Sequence, residues 1–307
     1  PRIGRFAASQ CTHNPIGFRA MNRIVLGGAQ LGLPYGILNN GESLGDAQVA
    51  EILDTAFEFG INQIDTAIAY GNSEALIGTH GQGRFAIISK LPPIPDDCSD
   101  VQGWVYEHIT SSLSRLRVTQ LDALLLHQPS DLTGKHGENL YSSITQMKND
   151  RLIGKFGVSI YSPQDLHGVL GNFVLDVIQT PFNVFDQRIK SHLERLSSLG
   201  IEIHARSIFL QGILLATNSS RPAFFDRWSS ELSRFDDWVK ETGTSAMQCC
   251  LSFALQNQGI SKIVIGSTSA QSLSEAMQCV QTTSNFASPN FDITDETLID
   301  PRLWATA

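Results

Sequence analysis

Apolar residues recur along this chain in two alternating registers, and the alternation by itself predicts an architecture. Short continuous apolar runs fall at residues 24–28, 61–65, 84–90, 121–126, 154–159, 174–179, 201–205 and 260–265. Between them, apolar positions return at helical spacing, as at Val49, Ile52, Leu53, Ala56 and Phe57, or at Val101, Trp104, Val105, Ile109 and Leu113. Helices are therefore expected from Asp46 to the stop at Gly60, and over 73–78, 101–116, 138–150, 163–170, 189–199, 224–241, 244–257 and 270–279.

Strands that are apolar throughout, rather than on alternate positions, are buried on both faces, which means a parallel sheet covered by helices. Eight strand–helix units within roughly 250 residues predict an α/β fold of the (β/α)8 TIM-barrel type, as a single domain over residues 21–280. An open doubly wound sheet is the other arrangement of such units, but its G-x-G-x-x-G after the first strand is missing. Residues 1–20 read as an N-terminal extension, and 281–307 as a tail that could fold over one barrel mouth, with a short helical piece and an exposed Trp304.

Composition narrows the classes of function. The formal net charge is −8 and no basic run occurs, which argues against a nucleic-acid surface while leaving room for a local phosphate pocket. No apolar run approaches the ~20 residues of a membrane span, and residues 1–20 lack the apolar core of a secretory signal. The cysteines are Cys11, Cys98, Cys249, Cys250 and Cys279, an odd number without C-x-x-C spacing. A reducing compartment, the cytoplasm, is expected, with neither a disulfide framework nor a zinc site.

In a barrel the carboxyl ends of the strands converge on one rim, and reacting groups sit there. Those ends carry Asp65 after the second strand, Lys90 after the third and His127 after the fourth, with Tyr70 in the loop beyond Asp65. Singly, each has a plain structural use as a turn cap, a solvated strand end, a loop imidazole or a packing phenol. Together they form a working set. An ammonium beside a phenol favours the phenolate and lowers its pKa, a carboxylate keeps the ammonium charged, and a neutral imidazole can donate to a carbonyl oxygen.

At these residues the chain resembles the aldo-keto reductases. The resemblance runs through D-T-A-I-A-Y-G (65–71), I-I-S-K (87–90), L-L-L-H (124–127), G-V-S (157–159), Q-T-P-F-N (179–183) and F-L-Q-G-I-L (209–214). It implies a barrel that uses NAD(P)H without a Rossmann motif, reducing an aldehyde, ketone or sugar carbonyl. Tyr70 would be the general acid, Lys90 and Asp65 its tuning pair, and His127 the group that orients the carbonyl. It also implies cofactor contacts at Gly28, Gln30, Asp65, Ser159, Gln179, Phe209, Leu210, Gly212, Gly266, Ser267 and Glu275. Arg206 stands where the family usually stacks a tyrosine on the nicotinamide, and Ile160 where it usually has asparagine. NADPH is the implied cofactor. NADH stays open, because Gly266 and Ser272 replace a frequent Lys and Arg near the adenosine phosphate. The stretch G-A-Q-L-G-L-P-Y-G-I (28–37) resembles members associated with surface-sugar pathways. Two other readings remain: a nucleotide-sensing regulatory subunit with little turnover, and a Schiff-base aldolase with Lys90 as nucleophile.

Overall fold

In the computed structural model, which describes residues 20–37, 41–283, 287, 289–291 and 293–304, the apolar runs pair into one closed parallel barrel. In chain order the strands are β1 (Ile24–Gly27), β2 (Gln63–Asp65), β3 (Ala86–Leu91), β4 (Leu121–Leu126), β5 (Ile153–Ser159), β6 (Val177–Pro181), β7 (Glu202–Arg206) and β8 (Lys262–Gly266). Each pairs with its sequence neighbours, and β1 closes on β8 in register from Ile24↔Ile263 to Gly27↔Gly266. The fold is a (β/α)8 barrel. Residues 1–19 lie outside the described residues, while Ala20 and Met21 are already buried in the core.

The helices are α1 (Ala29–Gly32), α2 (Asp46–Glu58), α3 (Ser73–His80), α4 (Val101–Leu116), α5 (Gly137–Asn149), α6 (Leu193–Ser198), α7 (Ser229–Thr242), α8 (Ala246–Gln256), α9 (Ala270–Gln281) and α10 (Glu296–Ile299). None of them is long and apolar enough to cross a membrane. Two hydrophobic layers follow from the double burial of the strands. Val25, Ile88, Ala123, Leu125 and Val177 fill the barrel interior, and a larger layer packs between strands and helices. The Arg23 guanidinium ties the layers at the closure seam by donating to the carbonyls of Leu255, Asn257 and Ile260 at 2.6, 3.0 and 2.7 Å.

The structure corrects several expected elements. The helix expected over 163–170 is only a 3-10 turn, Pro163–Leu166, because His167 is extended and Gly168 takes a φ of +76°. The one expected over 189–199 divides into a 3-10 turn, Arg188–His192, and α6. The one over 224–241 divides into a 3-10 segment, Ala223–Trp228, and α7, since Trp228 leaves helical geometry at ψ +24°. Val174, expected to open the sixth strand, is 75% exposed and precedes β6. Trp304 is not exposed. It is buried, donates through Nε1 to the Leu298 carbonyl at 3.2 Å, and packs edge-on against Phe225 at 4.9 Å.

The described part of the tail is anchored at the carboxyl rim of the barrel. Trp228 Nε1 donates to Asp295 Oδ2 at 2.8 Å, Arg188 bonds Glu296 at 3.0 Å, and the Arg302 guanidinium lies 3.7 Å over the Tyr161 ring just beyond β5.

Candidate active site

The carboxyl ends of β2, β3 and β6 bring three side chains to one buried point. Lys90 Nζ donates to Asp65 Oδ2 at 2.7 Å and to the Thr66 carbonyl at 2.8 Å, and Gln179 Nε2 donates to the other carboxylate oxygen, Asp65 Oδ1, at 2.7 Å. Ser159 Oγ reaches Gln179 Oε1 only at 3.5 Å. Lys90 is 0% exposed and Asp65 4%. Both charges are therefore held inside protein, where an ion pair persists only with its remaining hydrogen bonds made. Burial drives the Lys90 ammonium below its usual range, and the Asp65 carboxylate acts against that. A lysine so enclosed is not presented to a substrate carbon, which weighs against the Schiff-base reading.

Tyr70 is set beside this pair by the turn after β2. Its backbone N–H donates to the Ala67 carbonyl and its own carbonyl accepts from Ser73, the first residue of α3. The turn needs small residues: Gly71 has a φ of +54°, and a Cβ on Gly32 would strike the Tyr70 carbonyl. Ser73 Oγ locks the start of α3 by donating to the Gly28 carbonyl at 2.8 Å while meeting Thr66 Oγ1 at 2.9 Å. Behind it, buried Glu74 accepts from Ser89, Ser112 and Arg115 at 2.7, 2.6 and 2.8 Å, fixing α3 to β3 and α4.

Lys90 Nζ stands 5.2 Å from the centre of the Tyr70 ring, and the His127 ring 5.6 Å from it. Among the described residues the Tyr70 hydroxyl has no hydrogen-bond partner. Burial, and then the Asp65 charge, push this phenol above its ordinary range, whereas Arg206 pulls it down. This reverses the direction expected from the sequence. Lys90 gives two of its protons to Asp65 and Thr66, so the Asp65 carboxylate offsets much of its pull on the phenol. Tyr70 is consequently held protonated.

His127 is lowered to about 4, first by burial and then by the Lys90 charge. Its imidazole is neutral at physiological pH and can donate one N–H. Between pH 6.5 and 4 the unfolded chain takes up a proton that the folded chain refuses, so stability from this group is present above pH 6.5 and lost as the pH falls toward 4. The half-buried ring is expected to contribute about 2 kcal/mol to that loss after discounting for its exposure. Comparing urea unfolding of the wild type and His127→Gln at pH 7 and pH 4.5 checks this; a stability difference independent of pH would contradict it.

A cavity of about 540 Å³ opens from Tyr70 across the barrel rim. Of the residues named from the sequence, it is lined by Gln30, Asp65, Tyr70, Arg206, Phe209, Gly212, Gly266, Ser267 and Ser272, and further by Tyr35, Glu42, Gln48, Gln211 and Thr268. Gly28, Ser159, Gln179, Leu210 and Glu275 lie off the wall, as do Lys90 and His127 at its inner end. Gln179 has given its amide N–H to Asp65, Leu210 is 0% exposed, and Glu275 accepts from Gln271 at 3.0 Å.

The wall suits a dinucleotide in several ways. Ser207, Leu210, Gln211 and Gly212 take φ values of +58°, +47°, +52° and +99°, a strained run that turns backbone toward the cavity. Ser269 caps α9 by accepting from the Ser272 N–H at 3.1 Å, which brings the positive end of the helix dipole to the far end of the same cavity. A Cβ on Gly266 would collide with the Gln30 amide, so glycine keeps that wall thin. The sequence missed Tyr35, Glu42 and Gln48, which precede or open α2 in a stretch without a regular pattern. It also missed Tyr161, whose ring carries the Arg206 guanidinium at 4.3 Å.

Comparison with known proteins agrees with this fold. The chain is 25% identical over 250 residues to an uncharacterized oxidoreductase of Bacillus subtilis (strain 168), covering 74% of this chain and 80% of that one. It is 29% identical over 157 residues to the D-arabinose 1-dehydrogenase of Saccharomyces cerevisiae, covering 48% of this chain and 45% of that one. An aldo-keto reductase of Bacillus halodurans in its holo form superposes with a TM-score of 0.71 at 18% identity, over 92% of this chain and 94% of that one. The glycerol dehydrogenase of Gluconobacter oxydans does so with a TM-score of 0.67 at 20% identity, over 93% and 94%. The model of the aldo/keto reductase family matches residues 23–296, nearly the whole barrel with its rim, and the chain belongs to that family.

Proposed function

We propose that the chain reduces a small aldehyde, ketone or sugar carbonyl to the alcohol, or runs the reverse oxidation, with a nicotinamide dinucleotide bound in the rim cavity. The observation that carries this reading is a phenol without a hydrogen-bond partner among the described residues, held protonated at the inner end of that cavity beside a neutral imidazole. A proton donor has to be charged with its proton and free to give it, and Tyr70 meets both conditions.

The bound dinucleotide would supply or accept hydride at the carbonyl carbon. Gln30, Phe209, Gly212, Gly266 and Ser267 would hold it along the wall. Gly28, Ser159, Gln179, Leu210 and Glu275 would act from behind the wall: Gln179 and Ser159 as supports of Asp65, Leu210 through the strained loop. Tyr70 Oη donates its proton to the carbonyl oxygen as negative charge develops there. His127 donates a second hydrogen bond to the same oxygen and fixes its direction. Asp65 and Gln179 hold the Lys90 ammonium in place, and the ammonium field favours the tyrosinate that remains.

NADPH is the family's frequent cofactor, but the far end of the cavity carries Glu42, Ser43, Gln48, Thr268 and Ser272, with no lysine or arginine among its described lining residues. A 2′-phosphate would find no cation there, so we infer that NADH is used at least as well. The expected result of assaying a carbonyl panel with each reduced nucleotide is carbonyl-dependent oxidation, with NADH not inferior to NADPH. Oxidation of neither nucleotide across aldehydes, ketones and aldoses would favour the nucleotide-sensing reading.

A further inference from the structure

Arg206 is the only lysine or arginine among the described residues lining the cavity. Its plane is fixed from below: it lies 4.3 Å over the Tyr161 ring, and Nη2 and Nη1 donate to the Ile160 carbonyl at 3.0 Å and to Ser207 Oγ at 3.3 Å. Tyr161 is itself backed on its ring by Arg302 at 3.7 Å, which limits retreat of the stack. The neighbouring rim arginines have acids, Arg188 with Asp186 and Glu296, and Arg302 with Asp300. Arg206 makes no ion pair among the described residues, and a guanidinium cannot shed its proton.

The chemical end of the cavity is thus positively charged. Lys90 and Asp65 cancel as a pair, Tyr70 and His127 are neutral, and Arg206 adds one uncompensated charge. Its field reaches all the reacting groups, lowering Tyr70, Lys90 and His127 alike. If the reading above holds, the nicotinamide ring must come within about 3–3.5 Å of the carbon whose oxygen faces Tyr70. That places the ring against the wall that Arg206 forms. Reduced and oxidised dinucleotides share their phosphates, riboses and adenine, and differ by one positive charge on this ring.

We propose that Arg206 makes the cavity selective for the reduced dinucleotide, by repelling the cationic ring of the oxidised form. In the reductive direction the same residue then acts on both products. It speeds release of the oxidised product, and it stabilises the tyrosinate that remains on Tyr70 after proton donation. Arg206 acts here as a specificity-determining residue, distinct from the proton donor.

The test is equilibrium binding rather than turnover. Dissociation constants for NADH, NAD+, NADPH and NADP+ are measured by tryptophan fluorescence quenching and calorimetry on the wild type, Arg206→Met and Arg206→Lys. The wild type is expected to bind the preferred reduced nucleotide at least about tenfold more tightly than its oxidised partner, a difference of about 1.4 kcal/mol. Arg206→Met should bring the ratio close to one, mainly by tightening the oxidised form, and Arg206→Lys should preserve it. Equal affinities in the wild type, which needs no variant to measure, would overturn the proposal. So would an equal change in both redox forms in Arg206→Met, the mark of a purely structural role. Binding of no dinucleotide by the wild type would overturn the proposed function along with it, so the two failures are distinguishable.

Discussion

Tyr70→Phe is expected to lower kcat/KM for carbonyl reduction by about 10²–10⁴-fold while leaving dinucleotide affinity within roughly threefold of wild type. The substitution removes one oxygen from a ring whose position is set elsewhere. The turn at Ala67–Ser73, the positive φ of Gly71 and the contact with Gly32 hold the backbone, and among the described residues the hydroxyl makes no hydrogen bond that folding would miss. The effect should therefore fall on kcat, with thermal stability unchanged or slightly raised, since an unpaired polar group is removed. Steady-state kinetics together with a thermal melt separate these quantities. Near-normal turnover in the variant would show that another group gives the proton.

Lys90→Met is expected to act on both folding and chemistry. Lys90 and Asp65 form an ion pair with side chains 1% and 6% exposed, and the carboxylate keeps only the Gln179 amide when the ammonium is removed. Leaving a buried charge without its partner costs about 3–5 kcal/mol. The charge that favours the departing tyrosinate is lost as well, for a further fall of about 10²–10³-fold in kcat. Because those effects share one variant, Lys90→Met is paired with Asp65→Asn. The double variant should regain most of the stability, as neither charge is then orphaned, and none of the activity. Recovery of activity with stability would mean the pair serves folding alone.

What was legible in the sequence follows the physics of each feature. Strands buried on both faces leave an uninterrupted apolar signature, so the barrel and the strand ends bearing Asp65, Lys90 and His127 could be located from local pattern. The segments that failed are those whose geometry is decided by one backbone angle. Pro163–Leu166 ends at His167 and Gly168, and Trp228 divides a helix, although the residue types on either side suit continuation. Trp304 read as exposed because the short tail around it has no helical or strand period, whereas its neighbours in space, Phe225 and the Leu298 carbonyl, are distant along the chain or reached by a turn.

The grouping of Asp65, Tyr70, Lys90 and His127 was legible in the sequence, and its electrostatics were not. Sequence spacing puts a lysine near a phenol, but only the fold reveals that Asp65 and Thr66 take the lysine's protons and that Gln179 completes the carboxylate. The phenol is consequently held protonated, as the proposed role of proton donor requires. The stack of Arg206 and Arg302 on Tyr161 joins residues from β7, the tail and the end of β5, and no local pattern announces it. The Glu74 network is similar: a glutamate one turn into α3 reads as a surface residue until Ser89, Ser112 and Arg115 close on it.

The central claim is that Tyr70 gives a proton to a carbonyl oxygen while hydride arrives at the adjacent carbon within one cavity. A single-turnover experiment tests it most directly: wild-type protein and Tyr70→Phe are each loaded with reduced nucleotide deuterated at the transferring carbon, mixed with a carbonyl substrate, and the product is analysed by mass. The account predicts an alcohol carrying deuterium at the former carbonyl carbon from the wild type, and a rate at least about a hundredfold lower from Tyr70→Phe with the nucleotide still bound. Nucleotide that binds the wild type tightly yet transfers no deuterium to any carbonyl, or equal transfer rates in the two proteins, would contradict it.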